Sequence, residues 1–278
     1  MSMYPFQFLD TLRHMGIMQF EWTAASLDPE RSVKVFCTDR RDGLSSPPWD
    51  EFNLALHVGD SAQAVQANRQ ILTDALGVPL AWVQQVHGVR VHRVSEGGEH
   101  AVAADALLTT EAGVALSMMV ADCLPVLLSH RNLPCIVAAH AGWRGLSAGV
   151  LEASMAAMAQ ATGERADQVA AQTSAWLGPC IGPRHFEVGQ DVWDAFVQQE
   201  AEDAVGLRAA ARPGHYWADL AQLAKMRLSR LGVKDCQGND STAPWCTATN
   251  PNRYFSHRRD AGTQGSTGRM AFGVWITE

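Results

Sequence analysis

Short apolar runs, each stopped by a polar residue or a turn, recur along this chain and limit what it can fold into. Runs of six or seven residues occur at Ser32–Cys37, Ala81–Val86, Val114–Val120, Pro134–Ala139 and Met270–Ile276. Apolar runs of this length, bounded by turn signals, are typical of buried strands. We therefore predict a strand at each of them.

Longer segments with helical spacing lie between these runs. A helix is predicted over Ala62–Leu76, where Gly77 ends it, and another over Leu146–Thr162, where two apolar stripes indicate packing on more than one side. An amphipathic helix is predicted from Trp217 to Leu231. This order predicts an α+β (mixed α/β) fold with mixed β-sheets or a sandwich flanked by helices, and it leaves the strand order open.

The chain reads as one domain. Its 278 residues contain no linker, low-complexity tract or repeat that would divide it. Residues 1–30 are predicted to be an irregular N-terminal extension, and residues 31–278 the folded domain.

Charge and composition exclude several classes of protein. A formal charge of −7 argues against a general nucleic-acid binder. No apolar run approaches the roughly 20 residues that span a bilayer, and the first residues do not resemble a secretory signal. The six cysteines are too sparse for a disulfide scaffold. We expect a cytoplasmic protein that acts without nucleic acid or membrane.

Three residues with metal-binding side chains follow predicted strands. His87, Cys123 and His140 are 36 and 17 positions apart, and strand ends can bring such distant residues together. Imidazole and thiolate suit zinc, and three protein ligands leave a fourth position for water or substrate, as in catalytic zinc sites. Two loop histidines and a core cysteine remain the alternative at this point.

The sequence motifs around these three residues resemble those of a known family. They are QQVHG, DALLT, ADCLPVLL, AAHAGWRG, LGPCIGP and SHRRD, followed by STGRMAFGVWI, and FNLALHVGD and NRQIL precede them. This set, spread over about residues 33–278, is similar to the YfiH or laccase-domain family, once called multicopper polyphenol oxidases. The resemblance implies a YfiH-like fold and a zinc site at His87, Cys123 and His140, with copper as the alternative metal.

The resemblance also implies the chemistry. Bacterial members are described as purine nucleoside phosphorylases that split adenosine, inosine, guanosine or methylthioadenosine with phosphate, and that also deaminate adenosine. Zinc suits deamination because it lowers the pKa of a bound water towards ~7. The implied partners are purine nucleosides and phosphate, and the implied state is a monomer or weak homodimer.

The residue that transfers protons in this chain cannot be the glutamate that other zinc deaminases use. Their signature carries a glutamate two residues after the histidine, and neither His87 nor His140 has one. Asp122, beside Cys123, and Glu187 are the candidates. Each could equally be a carboxylate that only supports a ligand or faces solvent.

Phosphate would need a cationic site. Arg40, Arg144 and Arg258 are the predicted phosphate- or substrate-binding arginines, since guanidinium binds phosphate bidentately, and Asn53 of FNLALHVGD is placed with them. Arg258, Arg259 and Arg269 form a second basic cluster. In the loop of Arg40, Asp42 stands where the family commonly has glycine, which adds negative charge.

Cys180 lies in a predicted tight Gly/Pro turn and is a separate candidate for a catalytic role. It could act as a nucleophile with a histidine such as His185, or it could be a structural turn cysteine.

Two rival functions stay open. A copper-dependent polyphenol oxidase would need clustered histidines for further coppers, whereas this chain has ten histidines and no His-x-His pair. A hydrolase that edits peptidoglycan precursors could use the same zinc pocket, and independence from phosphate would distinguish it from a phosphorylase.

Overall fold

Two six-stranded sheets dominate the computed structural model, which describes residues 16–22 and 32–277. In spatial order, the first sheet contains β1 (Ile17–Glu21), β2 (Val33–Thr38), β15 (Met270–Ile276), β7 (Ala115–Val120), β3 (Leu80–Gln84) and β5 (Gly98–Ala103). The second contains β14 (Asp235–Gly238), β10 (Thr173–Leu177), β8 (Leu124–His130), β9 (Ile136–Ala141), β6 (Ala106–Thr109) and β4 (Val91–Arg93). A small third sheet contains β11 (Glu187–Gly189), β13 (His215–Ala218) and β12 (Leu207–Ala209).

The helices lie between these strands in the sequence. They are α1 (Ala62–Leu76), α2 (Trp143–Ala148), α3 (Val150–Thr162), α4 (Ala166–Gln172), α5 (Gln190–Val197), α6 (Leu220–Arg230) and the single turn α7 (Gly262–Gln264). Short 3₁₀ segments occupy Ala201–Gly206 and Ala243–Trp245, and a π turn occupies His257–Ala261.

The two large sheets pack face to face, with helices on both outer sides. Leu116 and Val274 of the first sheet share one buried cluster with Leu127 and Ile136 of the second. The outer face of the first sheet is covered by α1, and that of the second by α3 to α6. Both sheets mix parallel and antiparallel pairs, so the predicted mixed α/β fold with flanking helices is confirmed.

The strongest periodic signals gave the right boundaries. The helix Ala62–Leu76 and the strand Met270–Ile276 match the prediction at both ends. Other predicted strands shift by one or two residues. One shift matters, because β9 runs to Ala141 and His140 therefore lies inside the strand rather than after it.

Two predicted helices are wrong in extent. The helix over Leu146–Thr162 is two helices, since Gly149 adopts a left-handed φ of 100° and separates α2 from α3. The helix predicted from Trp217 begins at Leu220, where the Asp219 side chain accepts a hydrogen bond from the Gln222 amide and caps the first turn. Trp217 lies in β13 instead.

The N-terminal prediction needs correction where it can be compared. Residues 17–21 form β1, which pairs antiparallel with β2, so this stretch belongs to the first sheet rather than to an irregular extension. The rest of the predicted extension, residues 1–15 and 23–30, lies outside the described residues. Among the residues that the structure describes, no helix is long and apolar enough to cross a membrane.

Candidate metal centre

His87, Cys123 and His140 come together, as the sequence predicted. Their ligand atoms all lie within 4.8 Å of one another. Cys123 Sγ is 3.8 Å from His87 Nε2, and the two imidazole rings meet edge to face with centroids 4.8 Å apart. His87 follows β3, Cys123 lies in the turn between β7 and β8, and His140 is the penultimate residue of β9. The two packed sheets thus supply all three ligands from adjoining strand ends.

A buried carboxylate, Asp105, holds two of these ligands in place. It is fully buried between β5 and β6 and accepts a 2.8 Å hydrogen bond from Nδ1 of His140. The same carboxylate accepts the backbone amides of Val86, His87 and Gly88 at 2.7 to 3.1 Å. The bond to Nδ1 fixes the ring of His140 and leaves Nε2 as its metal-binding nitrogen, an arrangement common around zinc.

The backbone at the cluster is locally strained. His87 and Asp122 both adopt left-handed conformations, with φ values of 60° and 88°. Such values are uncommon for residues other than glycine and persist where the surroundings enforce them. At His87 the three amides bound by Asp105 provide that constraint.

Two glycines make room for the ligands. A Cβ on Gly142 would lie 2.9 Å from Cδ2 of His87 and 3.0 Å from Sγ of Cys123. A Cβ on Gly145 would lie 2.8 Å from the carbonyl oxygen of Gly88. The glycines of AAHAGWRG therefore allow α2 to begin directly against the cluster.

The cluster also alters the titration of its members. Burial alone would raise the pKa of the Cys123 thiol, but the charge of His140 and hydrogen bonds from both histidines lower it to about 6. Burial alone would lower the pKa of His140, but Cys123 and Asp105 raise it to about 9. Burial would likewise raise the pKa of Asp105, and the hydrogen bonds from His140 and Gly88 lower it instead.

The set of side chains in the cluster fits a bound metal cation. A thiolate is the form of cysteine that binds metals, and the lowered pKa of Cys123 favours it at neutral pH. One thiolate and two imidazoles suit zinc, and the same donors are also compatible with copper. Among the residues in the described ranges, this is the one group of three or more His, Cys, Asp and Glu side chains with metal-binding geometry.

The cluster opens into a cavity of about 400 Å³. The other residues that line it are apolar, aromatic, basic or amide side chains, with one acid among those described: His57, Gln85, Met119, Val120, Ala121, Asp122, Trp143, Arg144, Ile181, Phe186, Leu220, His257, Arg258 and Arg269. Apolar walls with a few converging polar groups are typical of small-molecule sites.

Three of the predicted catalytic and substrate residues line this cavity. Asp122 is buried, and its carboxylate accepts hydrogen bonds from Oγ1 of Thr247 at 2.5 Å and from the amide of Arg258 at 2.6 Å. The guanidinium of Arg144 lies 4.3 Å above the Trp143 ring. The guanidinium of Arg258 lies 5.3 Å from the Phe186 ring centroid.

Three other predicted residues do not line the cavity. Glu187 contributes its main-chain carbonyl, which accepts a 2.9 Å bond from Nη1 of Arg258. Arg40 donates to the carbonyls of Asp50 and Pro251. Asn53 is fully buried, where its side-chain oxygen accepts the backbone amide of Arg269. Glu187, Arg40 and Asn53 therefore make contacts within the protein, and none of them lies at the cavity wall.

The loop of Arg40 tolerates its unusual aspartate. Asp42 has a φ of 65°, the left-handed conformation that glycine adopts easily and aspartate more readily than most residues. It is exposed, and its amide donates to the Glu51 carboxylate at 2.7 Å.

Cys180 does not line the cavity of the metal cluster. It is 3% exposed and lies against Asn239 in a separate small pocket. Burial and the charge of Asp219 raise the pKa of its thiol well above the usual value. His185 lies 3.8 Å from Cys246 Sγ instead, so the structure does not form the predicted Cys180–His185 pair.

Sequence reasoning missed several residues at this site. Asp105 was visible only as part of the DALLT motif, and nothing in its spacing indicates that it holds His140. His57 lines the cavity from the HVGD motif, which had carried the resemblance without an assigned role. Arg269, which the sequence had grouped only with Arg258 and Arg259 as a second basic cluster, also lines it. Gln85 joins β3 to β7 through two hydrogen bonds with the backbone of Met119.

Comparisons with known proteins agree with this architecture. A family model described as "multi-copper polyphenol oxidoreductase laccase" matches residues 34–277. A purine nucleoside phosphorylase of Pseudomonas aeruginosa is 40% identical over 257 residues, which is 92% of this chain and 99% of the relative. The Escherichia coli purine nucleoside phosphorylase YfiH is 40% identical over 249 residues, covering 88% and 95% of the two chains.

Solved structures share the fold. A Neisseria meningitidis protein superposes with a TM-score of 0.80 at 36% identity, over 95% of this chain and 100% of that one. YlmD from Geobacillus stearothermophilus superposes with a TM-score of 0.82 at 26% identity, over 99% and 100% of the two chains.

Proposed function

This chain belongs to the multi-copper polyphenol oxidoreductase laccase family, and from that premise we propose that it is a zinc-dependent purine nucleoside phosphorylase that also deaminates adenosine. The names of its relatives from Pseudomonas aeruginosa and Escherichia coli support the first activity. Adenosine, inosine, guanosine and methylthioadenosine are the proposed nucleosides.

One observation carries the proposal. Three metal-binding side chains converge within 4.8 Å at the wall of a cavity of about 400 Å³. Three protein ligands correspond to a catalytic zinc site rather than a closed structural one. The cavity falls in the size range of small-molecule sites, roughly 300–1,000 Å³.

We assign His87, Cys123 and His140 as the zinc ligands. Zinc at this position would supply Lewis-acid chemistry, which polarises a substrate oxygen or activates a water molecule. Asp105 orients His140 and the backbone of His87, and Gly142 keeps the space between the ligands open.

In phosphorolysis a phosphate oxygen attacks C1′ of the ribose while the bond from C1′ to the purine nitrogen breaks. The products are ribose 1-phosphate and the free base, which takes up one proton. Cationic side chains of the cavity hold the phosphate, and Trp143 and Phe186 offer apolar surfaces for the purine ring. Arg144 and Arg258, each over one of these rings, border the same surfaces.

In deamination water adds at C6 of adenine and ammonia leaves, which gives inosine. Asp122 is the single carboxylate among the described residues that line the cavity, so we assign proton transfer to it. Hydrogen bonds from Thr247 and from the amide of Arg258 hold its carboxylate in place, and a carboxylate there can accept a proton from the attacking water and return it to the departing ammonia. Glu187 is the weaker candidate, since its side chain is not among the lining residues.

Incubation of purified, zinc-loaded protein with adenosine, with and without phosphate, tests the proposal by chromatography of the products. We expect adenine and ribose 1-phosphate only when phosphate is present, and inosine in both cases. A His140→Ala variant should lose both products together with its zinc.

The rival functions are outcomes of the same experiment. If the zinc-loaded protein forms no product under either condition, the proposal fails, and peptidoglycan precursors become the next substrates to assay. Copper bound in preference to zinc, with oxidation of a phenol, would instead support the polyphenol oxidase.

A further inference from the structure

The arginines near the cavity differ in how many of their donors are already used. Nε and Nη1 of Arg40 donate to the carbonyls of Asp50 and Pro251, and its Nη2 lies 3.4 Å from the Asp50 carboxylate. Arg269 uses only Nη1, on the carbonyls of Thr267 and Gly268. Nε and Nη2 of Arg269 have no protein partner among the described residues, so this guanidinium keeps donors available.

Arg269 also carries an unpaired charge. Within residues 16–22 and 32–277, no carboxylate forms an ion pair with Arg144, Arg258 or Arg269. The first two are exposed to solvent, whereas Arg269 is partly buried at the cavity wall, and burial lowers the pKa of its guanidinium. A desolvated charge without a partner costs free energy, which an anionic ligand would offset.

The backbone of Arg269 is fixed from both sides. Its amide donates to the buried side-chain oxygen of Asn53 at 2.9 Å, and its carbonyl accepts the amide of Leu54 at 3.2 Å. The preceding Gly268 packs so closely on Phe255 that a Cβ there would lie 2.6 Å from the ring. The guanidinium therefore starts from an ordered main chain, which reduces the entropy lost when it binds a ligand.

The surroundings of Arg269 place such a ligand beside the metal cluster. Arg269 and His57 line the same cavity as Cys123 and Asp122. The imidazole of His57 offers one more donor or acceptor for an oxyanion.

We propose that Arg269, assisted by His57, binds the phosphate that attacks the nucleoside. Guanidinium presents paired donors that match two oxygens of a phosphate. Asn53 then acts as a positioning residue through the backbone of Arg269, and Arg40 contributes to the fold rather than to the anion. The assignment rests on the proposed phosphorylase activity, which it makes more specific.

The test compares Arg269→Gln and Arg269→Lys with the wild type and with Arg208→Gln, a control at an exposed residue of β12 outside the cavity. Phosphorolysis rates at varied phosphate and at varied nucleoside give the two KM values. We expect Arg269→Gln to raise KM for phosphate by at least about tenfold, as for loss of a charge-assisted hydrogen bond. Arg269→Lys should restore part of the affinity.

A direct binding measurement separates this inference from the enzyme activity. Calorimetric titration of the zinc-loaded proteins with inorganic phosphate should show binding to the wild type and to Arg208→Gln, and its loss in Arg269→Gln. If the wild type binds phosphate in this pattern but splits no nucleoside, the anion site stands and the phosphorylase proposal falls. If phosphorolysis occurs and Arg269→Gln leaves KM for phosphate unchanged, the inference is wrong.

Discussion

Two groups of residues that line the cavity are held in different ways. Around the metal ligands, which we call the metal side, fully buried Asp105 ties His140 to the backbone of the loop that carries His87. By contrast, Arg144 and Arg258 are exposed, and each lies over a single aromatic ring. We infer that the metal side is preorganised, because its contacts are buried and mutually constraining, whereas these two arginines can adjust to different purines.

This comparison predicts that substitutions on the metal side have the larger effects. The largest loss should follow Cys123→Ser, which keeps the side-chain shape but removes the thiolate. We expect zinc to be lost and both activities to fall by roughly a thousandfold or more, since a catalytic metal supplies several kcal/mol. Metal analysis and rate assays check this, with Cys236→Ser in β14 as the control. A Cys123→Ser protein that keeps zinc and activity would contradict the ligand assignment.

The next largest effect should come from Asp105→Asn. An amide accepts hydrogen bonds through one oxygen only, so it cannot satisfy His140 and the three amides of residues 86–88 together. We expect zinc affinity, measured by chelator competition, to fall about 10- to 100-fold, as for other carboxylates that orient metal ligands. Asp203→Asn, at a fully buried carboxylate that pairs with Arg230, is the control. If both variants destabilise the protein equally and neither changes zinc affinity, the preorganisation of the metal side is disproved.

A smaller effect is expected from Gly142→Ala. The added methyl group would press on His87 and Cys123 at 2.9 and 3.0 Å, so one ligand must move. Overpacking of this kind costs about 1–3 kcal/mol, which we expect to appear as weaker zinc binding. Gly262→Ala, where an added Cβ meets nothing within 4 Å, should bind zinc like the wild type. Unchanged zinc binding in Gly142→Ala would show that this side of the cavity yields easily.

The smallest effect on the site should come from Arg40→Gln. Its loss removes hydrogen bonds to two loop carbonyls, so we expect the free energy of unfolding to fall by about 1–3 kcal/mol. KM for phosphate should stay within about twofold of the wild type, the scale of a weak electrostatic contribution. Denaturant unfolding and phosphate kinetics measure the two effects. A higher KM without lost stability would return Arg40 to the phosphate site.

Some features of the fold and of the site could be predicted from the sequence, and others could not. The metal ligands were accessible because each residue type is chemically distinctive and each lies within a long family motif. The strands and α1 were accessible because apolar periodicity is local. Asp105 was missed because its partners are three backbone amides and a histidine 35 residues away, which leave no pattern in the sequence.

The arginines were harder to rank for a related reason. One of the carbonyls that Arg40 binds belongs to Pro251, which is 211 residues away, and the amide of Arg269 is held by Asn53 from 216 residues away. Such long-range contacts decide whether the donors of a guanidinium are already bonded within the protein or are free to bind a ligand. The break at Gly149 was missed because a single glycine inside an apolar helical pattern is often tolerated.

The proposed reaction in this cavity joins phosphate to the ribose of a purine nucleoside. Phosphorus NMR of zinc-loaded protein with inosine and inorganic phosphate follows the formation of this bond. We predict a growing phosphate-monoester resonance of ribose 1-phosphate, matched by hypoxanthine and absent in the Cys123→Ser variant. An unchanged inorganic phosphate signal, from protein shown to hold one zinc per chain and incubated in turn with each proposed nucleoside, would show that the protein is not a purine nucleoside phosphorylase.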